Sequence, residues 1–234
     1  MTLSVVILTK DSAQTIKQCL DSVSFADEIV VVDSQSSDDT LAIVKNFSHP
    51  NLKLVSHAFN NDYAALRNFA LAKTTGEWVL FVDSDEEVSP SLQNEIKKTV
   101  AESSGINGYY LRRQDYFLGK KLKHGETAHV SLLRLGRKDA GVWKGKVHEA
   151  WEIKGKRAKL DHSLIHHKSL TISEFLTKLN LYSSIRAQEL YDQGVREPFI
   201  MLFLKPKGKF IFNYIVKDGL LDGFPGLVMA FLMS

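Results

Sequence analysis

The sequence predicts an α/β fold: a mostly parallel sheet with helices on both faces, followed by a helical C-terminal tail. Three observations predict it. Short apolar runs of strand length recur through the first hundred residues. Segments with apolar residues at helical spacing separate them. The runs end beside polar or acidic residues, namely Thr9 and Asp11, Asp33, and Asp83 and Asp85. Alternating strands and helices imply a parallel sheet covered on both sides. In such sheets ligands bind outside the carboxyl ends of the strands, so those residues are candidates for binding.

Leu3–Leu8 is the first strand, with Ser4 its one polar member. Ala13, Ile16, Leu20 and Val23 then recur at helical spacing, with Ser12 as the candidate N-cap. Glu28–Val32 is a β-branched run that ends on Asp33, and Ser37 or Asp38 caps a helix carrying Leu41 and Val44. Leu52–Val55 is a third short strand. Ala65, Leu66, Phe69 and Ala70 mark a helix that Gly76 is placed to end. Trp78–Val82 is a fourth strand. Ser89-Pro90 opens a helix with Leu92, Ile96 and Val100, since proline at the first helical position has no N–H to waste. From Gly105 the rhythm changes. Gly108–Arg113 and Ser131–Leu135 read as strands, a glycine- and lysine-rich stretch runs to about Lys159, and helical spacing resumes after Ser173.

The chain has 234 residues, 44% hydrophobic and 24% charged, which suits a globular protein with a sizeable core. Its one cysteine, Cys19, excludes an internal disulfide framework and a cysteine-rich zinc site. No run of about 18 apolar residues occurs, so no spanning helix is expected. The N-terminus lacks a charged leader, and the expected location is cytoplasmic. The net charge of +3 conceals an asymmetry: residues 1–100 carry 8 Lys/Arg against 14 Asp/Glu, and the remainder carries 22 against 13. An acidic half suits a cation and a basic half suits an anionic partner or surface. No recognisable nucleic-acid module accompanies the basic residues, so nucleic acid is not the expected partner. No Gly-x-Gly-x-x-Gly follows the first strand, which disfavours a dinucleotide-dependent dehydrogenase.

Asp83 and Asp85, at i and i+2 directly after a buried strand, can both face a ligand where the chain turns. Hard oxygen ligands suit Mg²⁺ or Mn²⁺, which bridge carboxylates to a nucleotide diphosphate. Alone, Asp-x-Asp more often marks a solvated turn. Asp33 stands where an acid meets a ribose or base edge, and its serine-rich neighbours also suit a capping loop.

The ordered segments Ser4–Asp11, Val31–Thr40, Ala65–Ala70 and Gly76–Asp85 resemble those of glycosyltransferase family 2, whose fold is GT-A (Rossmann-like). Downstream, Tyr110–Lys120, His124-Gly125, Leu133-Arg-Leu135, Trp143–Glu149 and Lys178–Ser183 resemble the lipopolysaccharide-core β-glucosyltransferase-like branch. The similarity spans nearly the whole chain. It implies that Thr9, Asp11 and Asp33 contact the nucleotide, that Arg67 sits near base or phosphates, and that Asp83 sits near ribose or sugar. It further implies Asp85 as metal ligand and Glu149 as general base. The rival for Glu149 is a surface salt bridge with Lys144, Lys146 or Lys154. The Trp143-to-Trp151 stretch could lend a sugar-stacking surface. Six of eight histidines lie between His124 and His167; His166 is the candidate further metal ligand, ahead of His167. Two departures stand out: Gln35 occupies a position where the family usually has glycine, and Glu126-Thr127 follows His124-Gly125 where the branch has glycine and an aromatic. The loop there is expected to meet the acceptor.

The expected organisation is a donor-binding subdomain over 1–107, an acceptor-side segment over 108–170 and a helical tail over 171–234. In the tail, two apolar runs flank Lys205, Lys207, Lys209 and Lys217, which suits peripheral contact with an anionic membrane at its inner face, or packing as ordinary core. The implied activity is inverting, metal-dependent transfer of a hexose, glucose favoured, from a UDP-sugar to a cell-envelope glycan or glycolipid. A polyprenyl-phosphate sugar transferase and a non-catalytic nucleotide-sugar-binding protein are the alternatives.

Overall fold

A computed structural model describes residues 1–102, 105–146, 149–167 and 172–234, apart from the Lys178 side chain. Val147 and His148 of the Trp143–Glu149 motif lie outside the described residues, as does the expected boundary at 170/171. The chain forms two compact units: Met1–Arg113 with Ser131–His167, and Gln114–Val130 with Lys168–Ser234.

The first unit begins with β1 (Leu3–Thr9), α1 (Ile16–Val23), β2 (Glu28–Asp33), α2 (Thr40–Lys45), β3 (Leu52–Ser56), α3 (Tyr63–Lys73) and β4 (Trp78–Asp83). Then follow β5 (Glu86–Val88), α4 (Pro90–Glu102) and the long β6 (Ile106–Phe117). A short β7 (Lys120–Lys121) pairs back on β6 in the second unit. The first unit resumes with β8 (Ser131–Arg137), β9 (Gly141–Lys144), β10 (Ala150–Ile153) and β11 (Lys156–His166). The main sheet runs β3-β2-β1-β4-β8-β6-β11-β5. Its first four strands are parallel, and the β4–β8, β8–β6 and β11–β5 pairings are antiparallel. Strands β1, β2 and β4 are buried on both faces, as their continuous apolar runs require, and the edge strand β3 is only partly buried. One face packs Val5, Ile7 and Val31 against Leu20 of α1 and Leu92 and Ile96 of α4. The other packs Val6, Val30 and Phe81 against α3 and a separate hairpin, β9–β10.

Several local expectations change. Helix α1 starts at Ile16 rather than beside Ser12, whose carbonyl instead accepts the Ile16 N–H at 2.9 Å. Helix α3 ends at Lys73, so Gly76 is not its cap; a Cβ there would come 2.6 Å from Ser4 Oγ, and glycine permits that approach. The glycine- and lysine-rich stretch before Lys159 folds as β9, β10 and the start of β11.

In the second unit, α5 (Ile172–Asp192) and α6 (Met201–Ile211) are followed by a π-helical turn at Phe212–Val216, a 3₁₀ turn at Gly219–Asp222 and α7 (Phe224–Leu232). Gly226 lets α7 close on the 3₁₀ turn, since a Cβ there would lie 2.0 Å from the Gly219 carbonyl oxygen. No helix among the described residues is long and apolar enough to cross a membrane.

Candidate active site

Strand register brings the candidates together at the carboxyl ends of the parallel strands. Thr9 is paired with Asp33 across β1–β2, and Leu8 with Asp83 across β1–β4. Thr9 is buried, and its Oγ1 has no hydrogen-bond partner among the described residues. Buried hydroxyls are rarely left so, and one at a strand end invites a ligand. Two loops close beside it, the second of them serine-rich. Asp33 accepts the Ser36 N–H (3.1 Å) and Ser36 Oγ (2.5 Å), while Asp11 Oδ1 accepts the Ser37 N–H (2.7 Å). The Ser37 backbone and hydroxyl bonds hold the Asp11 carboxyl below its ordinary value. Asp11 thus ties the β1–α1 loop to the β2–α2 loop. Asp38 accepts the Thr40 N–H at 3.0 Å at the start of α2. Gln35 keeps a left-handed backbone, φ 61°, the conformation that glycine adopts freely and other residues adopt at a cost of roughly 1–2 kcal/mol.

Arg67 of α3 is buried and joins two of the candidate acids. Its Nε donates to Glu149 Oε1 at 2.7 Å and its Nη2 to Asp83 Oδ1 at 3.0 Å, while its guanidinium stacks 4.8 Å from the Trp143 ring centre. Its Nη1 is buried with no hydrogen-bond partner among the described residues. The neighbouring Asn68 brackets the Trp143 backbone with two bonds of 2.9 Å, so α3 also fixes the strand leading towards Glu149. Glu149 is therefore paired to a buried arginine. Lys144, one of its expected surface rivals, pairs with Glu152 at 2.7 Å. Trp143 and Trp151 do not form a sugar-stacking surface. They stack on each other at 5.4 Å and pack edge-on against Phe81 inside the core, because their hairpin folds over the sheet.

A second buried arginine completes the network. Arg134 of β8 donates Nη2 to Asp83 Oδ2 at 2.7 Å and Nη1 to Asp83 Oδ1 at 3.3 Å. Burial alone would raise the Asp83 carboxyl, yet Arg134 and Arg67 outweigh it and hold the group far below the usual carboxylate range. Glu86 accepts the Asp83 N–H at 2.9 Å; burial first, and then the Asp83 charge, push its carboxyl up. Sequence reasoning missed Arg134 and Glu86 as site residues. The available signal was Leu133-Arg-Leu135, a charge set within an apolar strand.

Asp85 and His166 meet because β5 pairs with β11. His166 is registered opposite Glu86, and its Nε2 lies 3.4 Å from Asp85 Oδ2. His167 turns away to Glu87 and Gln18, with its backbone N–H donating to the Asp85 carbonyl at 2.9 Å. Asp85 and His166, a carboxylate and an imidazole side by side, are the side chains that would hold a divalent cation here. No cluster of three or more protein ligands occurs among the described residues.

Residues 4–161 match the sequence profile of glycosyl transferase family 2, well over half of the chain. The chain belongs to that family. This glycosyltransferase is 27% identical to the lipopolysaccharide core biosynthesis glycosyltransferase LpsC of Rhizobium meliloti, over 99% of its own length and 90% of the relative. Among solved structures it is similar to glucosyl-3-phosphoglycerate synthase from Mycobacterium tuberculosis in complex with Mn²⁺, UDP and phosphoglyceric acid. The TM-score is 0.55 at 18% identity, over 84% of this chain and 80% of that one. It is also similar to S. aureus TarS in complex with UDP-GlcNAc, with a TM-score of 0.54 at 21% identity over 73% of this chain and 60% of that one. At these identities the structural likeness establishes the fold, which is GT-A-like.

Proposed function

We propose that this glycosyltransferase moves a hexose, glucose favoured, from a UDP-sugar to a cell-envelope glycan or glycolipid such as lipopolysaccharide core, with inversion at the anomeric carbon. The observation that carries the reading is the convergence of Thr9, Asp33, Arg67, Asp83 and Glu149, with Asp85 and His166 adjacent, at the ligand-binding end of a GT-A-like sheet. The LpsC relative supports the acceptor class, and the UDP and Mn²⁺ bound by the mycobacterial neighbour support the donor and the metal.

In this reading Thr9, Asp11 and Asp33 bind the nucleotide, and Arg67 and Asp83 orient the phosphate and sugar. Asp11 acts through the loop that it braces against Ser37. Asp85 and His166 hold Mg²⁺ or Mn²⁺, which when bound neutralises charge on the departing diphosphate. Glu149 takes the proton of the acceptor hydroxyl as that oxygen attacks the anomeric carbon from the face opposite the diphosphate. The new glycosidic bond forms as the bond to the diphosphate oxygen breaks, and its electron pair leaves on UDP. Arg67 engages Glu149 Oε1, so the second carboxylate oxygen is the one that accepts the proton. The enzyme would work in the cytoplasm, in peripheral contact with the anionic inner face of the membrane that carries the acceptor.

The test is UDP release from a panel of sugar nucleotides, with Mn²⁺, with EDTA and in Asp85→Ala. Release from UDP-glucose that needs the metal and collapses in the variant is the expected result. Equal UDP affinity and turnover in all three conditions would remove Asp85 from the metal site.

A further inference from the structure

The second unit carries an apolar surface that nothing in the donor-site chemistry explains. Of the 22 large hydrophobic side chains exposed among the described residues, 14 lie between Phe199 and Phe231. They include Phe199, Phe224 and Phe231, each with more than two thirds of its area exposed. Soluble monomers rarely expose contiguous apolar patches of more than a few hundred Å². On α6, Leu202, Phe203 and Leu204 are all exposed. Consecutive helical residues turn by about 100°, so these three expose apolar area over some 200° of the helix circumference. Such a surface suits the headgroup–acyl boundary of a bilayer, into which an interfacial helix sinks its apolar side.

Charge and length agree with that occupant. Residues 198–217 contain four lysines and no acid. Lys205 and Lys209 are paired with Glu197 and Glu126, and Lys207 and Lys217 supply the excess positive charge. Long lysine stems lie along apolar surface with their heads at the headgroup level. At 11 residues α6 is about 16 Å long, half of what a roughly 30 Å hydrocarbon core needs, so it lies within the interface.

The same segment holds the loop expected to meet the acceptor. The buried Asp222 accepts the Lys123 N–H (3.0 Å) and His124 N–H (2.9 Å) on Oδ2, with His124 Nδ1 at 3.0 Å from Oδ1. Gly125 N–H donates to the Lys217 carbonyl at 2.8 Å, and Glu126 N–H to Asn213 Oδ1 at 3.2 Å. Four consecutive backbone N–H groups, from Lys123 to Glu126, are thus satisfied by residues 213–222.

We propose that residues 199–231 form a docking surface for an anionic lipid bilayer, and that Asp222 and Asn213 fix the Lys123–Glu126 loop to it, so that the loop meets an acceptor anchored in that bilayer. The acceptor half rests on the proposed transfer reaction; the lipid half does not. The test uses the full chain without sugar nucleotide, cosedimented with phosphatidylcholine vesicles with and without phosphatidylglycerol, and followed by hydrogen–deuterium exchange. Binding should favour the anionic vesicles, and Lys207→Ser and Lys217→Ser should each weaken it by roughly fivefold. The triple variant Phe199→Ser, Phe203→Ser, Phe224→Ser, at exposed positions that leave the fold intact, should weaken binding at least tenfold. Amides 123–126 should exchange more slowly on vesicles, together with residues 213–222. A wild-type protein that ignores both vesicles and forms a dimer abolished by the triple variant would make a second copy the occupant. Binding without slowed exchange in the loop would overturn the link to the acceptor. A chain that binds vesicles yet releases no UDP from any donor would contradict the transfer reading alone.

Discussion

At the residue scale, Arg67 and Arg134 set the character of the site. Two guanidiniums converge on Asp83, and one of them extends to Glu149. Removing one member of a buried, paired group leaves the others uncompensated and typically costs about 3–5 kcal/mol. Arg134→Met should therefore destabilise the fold by roughly that amount in urea unfolding, because Asp83 loses two bonds while Glu86 stays buried beside it. A loss below about 1 kcal/mol would mean that the pair contributes little beyond what well-packed apolar groups supply. Arg67 was legible because it sits in an ordered segment with a family resemblance. Arg134 stands in a resembling segment too, Leu133-Arg-Leu135, but a lone arginine between two leucines does not announce a carboxylate 51 positions away as its partner. Asn68 had the same invisibility: its bonds are to a backbone 75 positions away, which no spacing rule anticipates. Gln35 is the opposite case. It stands where the family usually has glycine, and its backbone takes the positive φ that glycine favours despite the side chain.

At the scale of elements, Glu28 shows how the parallel strands are joined away from the site. From the start of β2 its carboxylate accepts bonds from Ser4 of β1, from Lys53 of β3 at 2.5 Å, and from the Thr75 N–H at 2.8 Å before β4. Burial opposes the charge, but Lys53 and the Ser4 and Thr75 bonds prevail and lower the carboxyl to about 2 from an ordinary 4.5. Because the folded value is depressed, the stabilisation is complete above about pH 4.5 and disappears as pH falls through about 2. Glu28→Gln should cost about 3 kcal/mol at pH 7, and its gap from wild type should shrink steadily between pH 5 and pH 2 in denaturant titrations. A gap independent of pH would show that the charge is not what joins the strands. The strands themselves were readable because burial on both faces leaves a continuous β-branched run. Strands β9, β10 and β11 were not. Their lysines and glycines mask the alternation, and the apolar members Trp143, Trp151, Leu160 and Leu164 are too widely spaced to stand out. The same local reading put the two tryptophans on a surface, when the hairpin folds them under Phe81.

At the scale of the whole molecule, the acidic first hundred residues foreshadowed the cluster of carboxylates, and the order of motifs foreshadowed the family. Sequence could not foresee that three distant segments, α3, β4 and the residue before β10, would meet through one guanidinium. That meeting defines the most direct test of the account. Glu149→Gln keeps the length and shape of the side chain and one hydrogen-bond acceptor for Arg67, but it cannot take a proton. UDP-sugar affinity and sugar transfer should be measured side by side on this variant, in Mn²⁺ and with acceptor present. Donor affinity should stay within about threefold of wild type while kcat falls by roughly a hundredfold or more, the pattern of a positioned base lost from the transition state. Transfer at a near-normal rate would contradict it, and the base would have to be sought at another carboxylate.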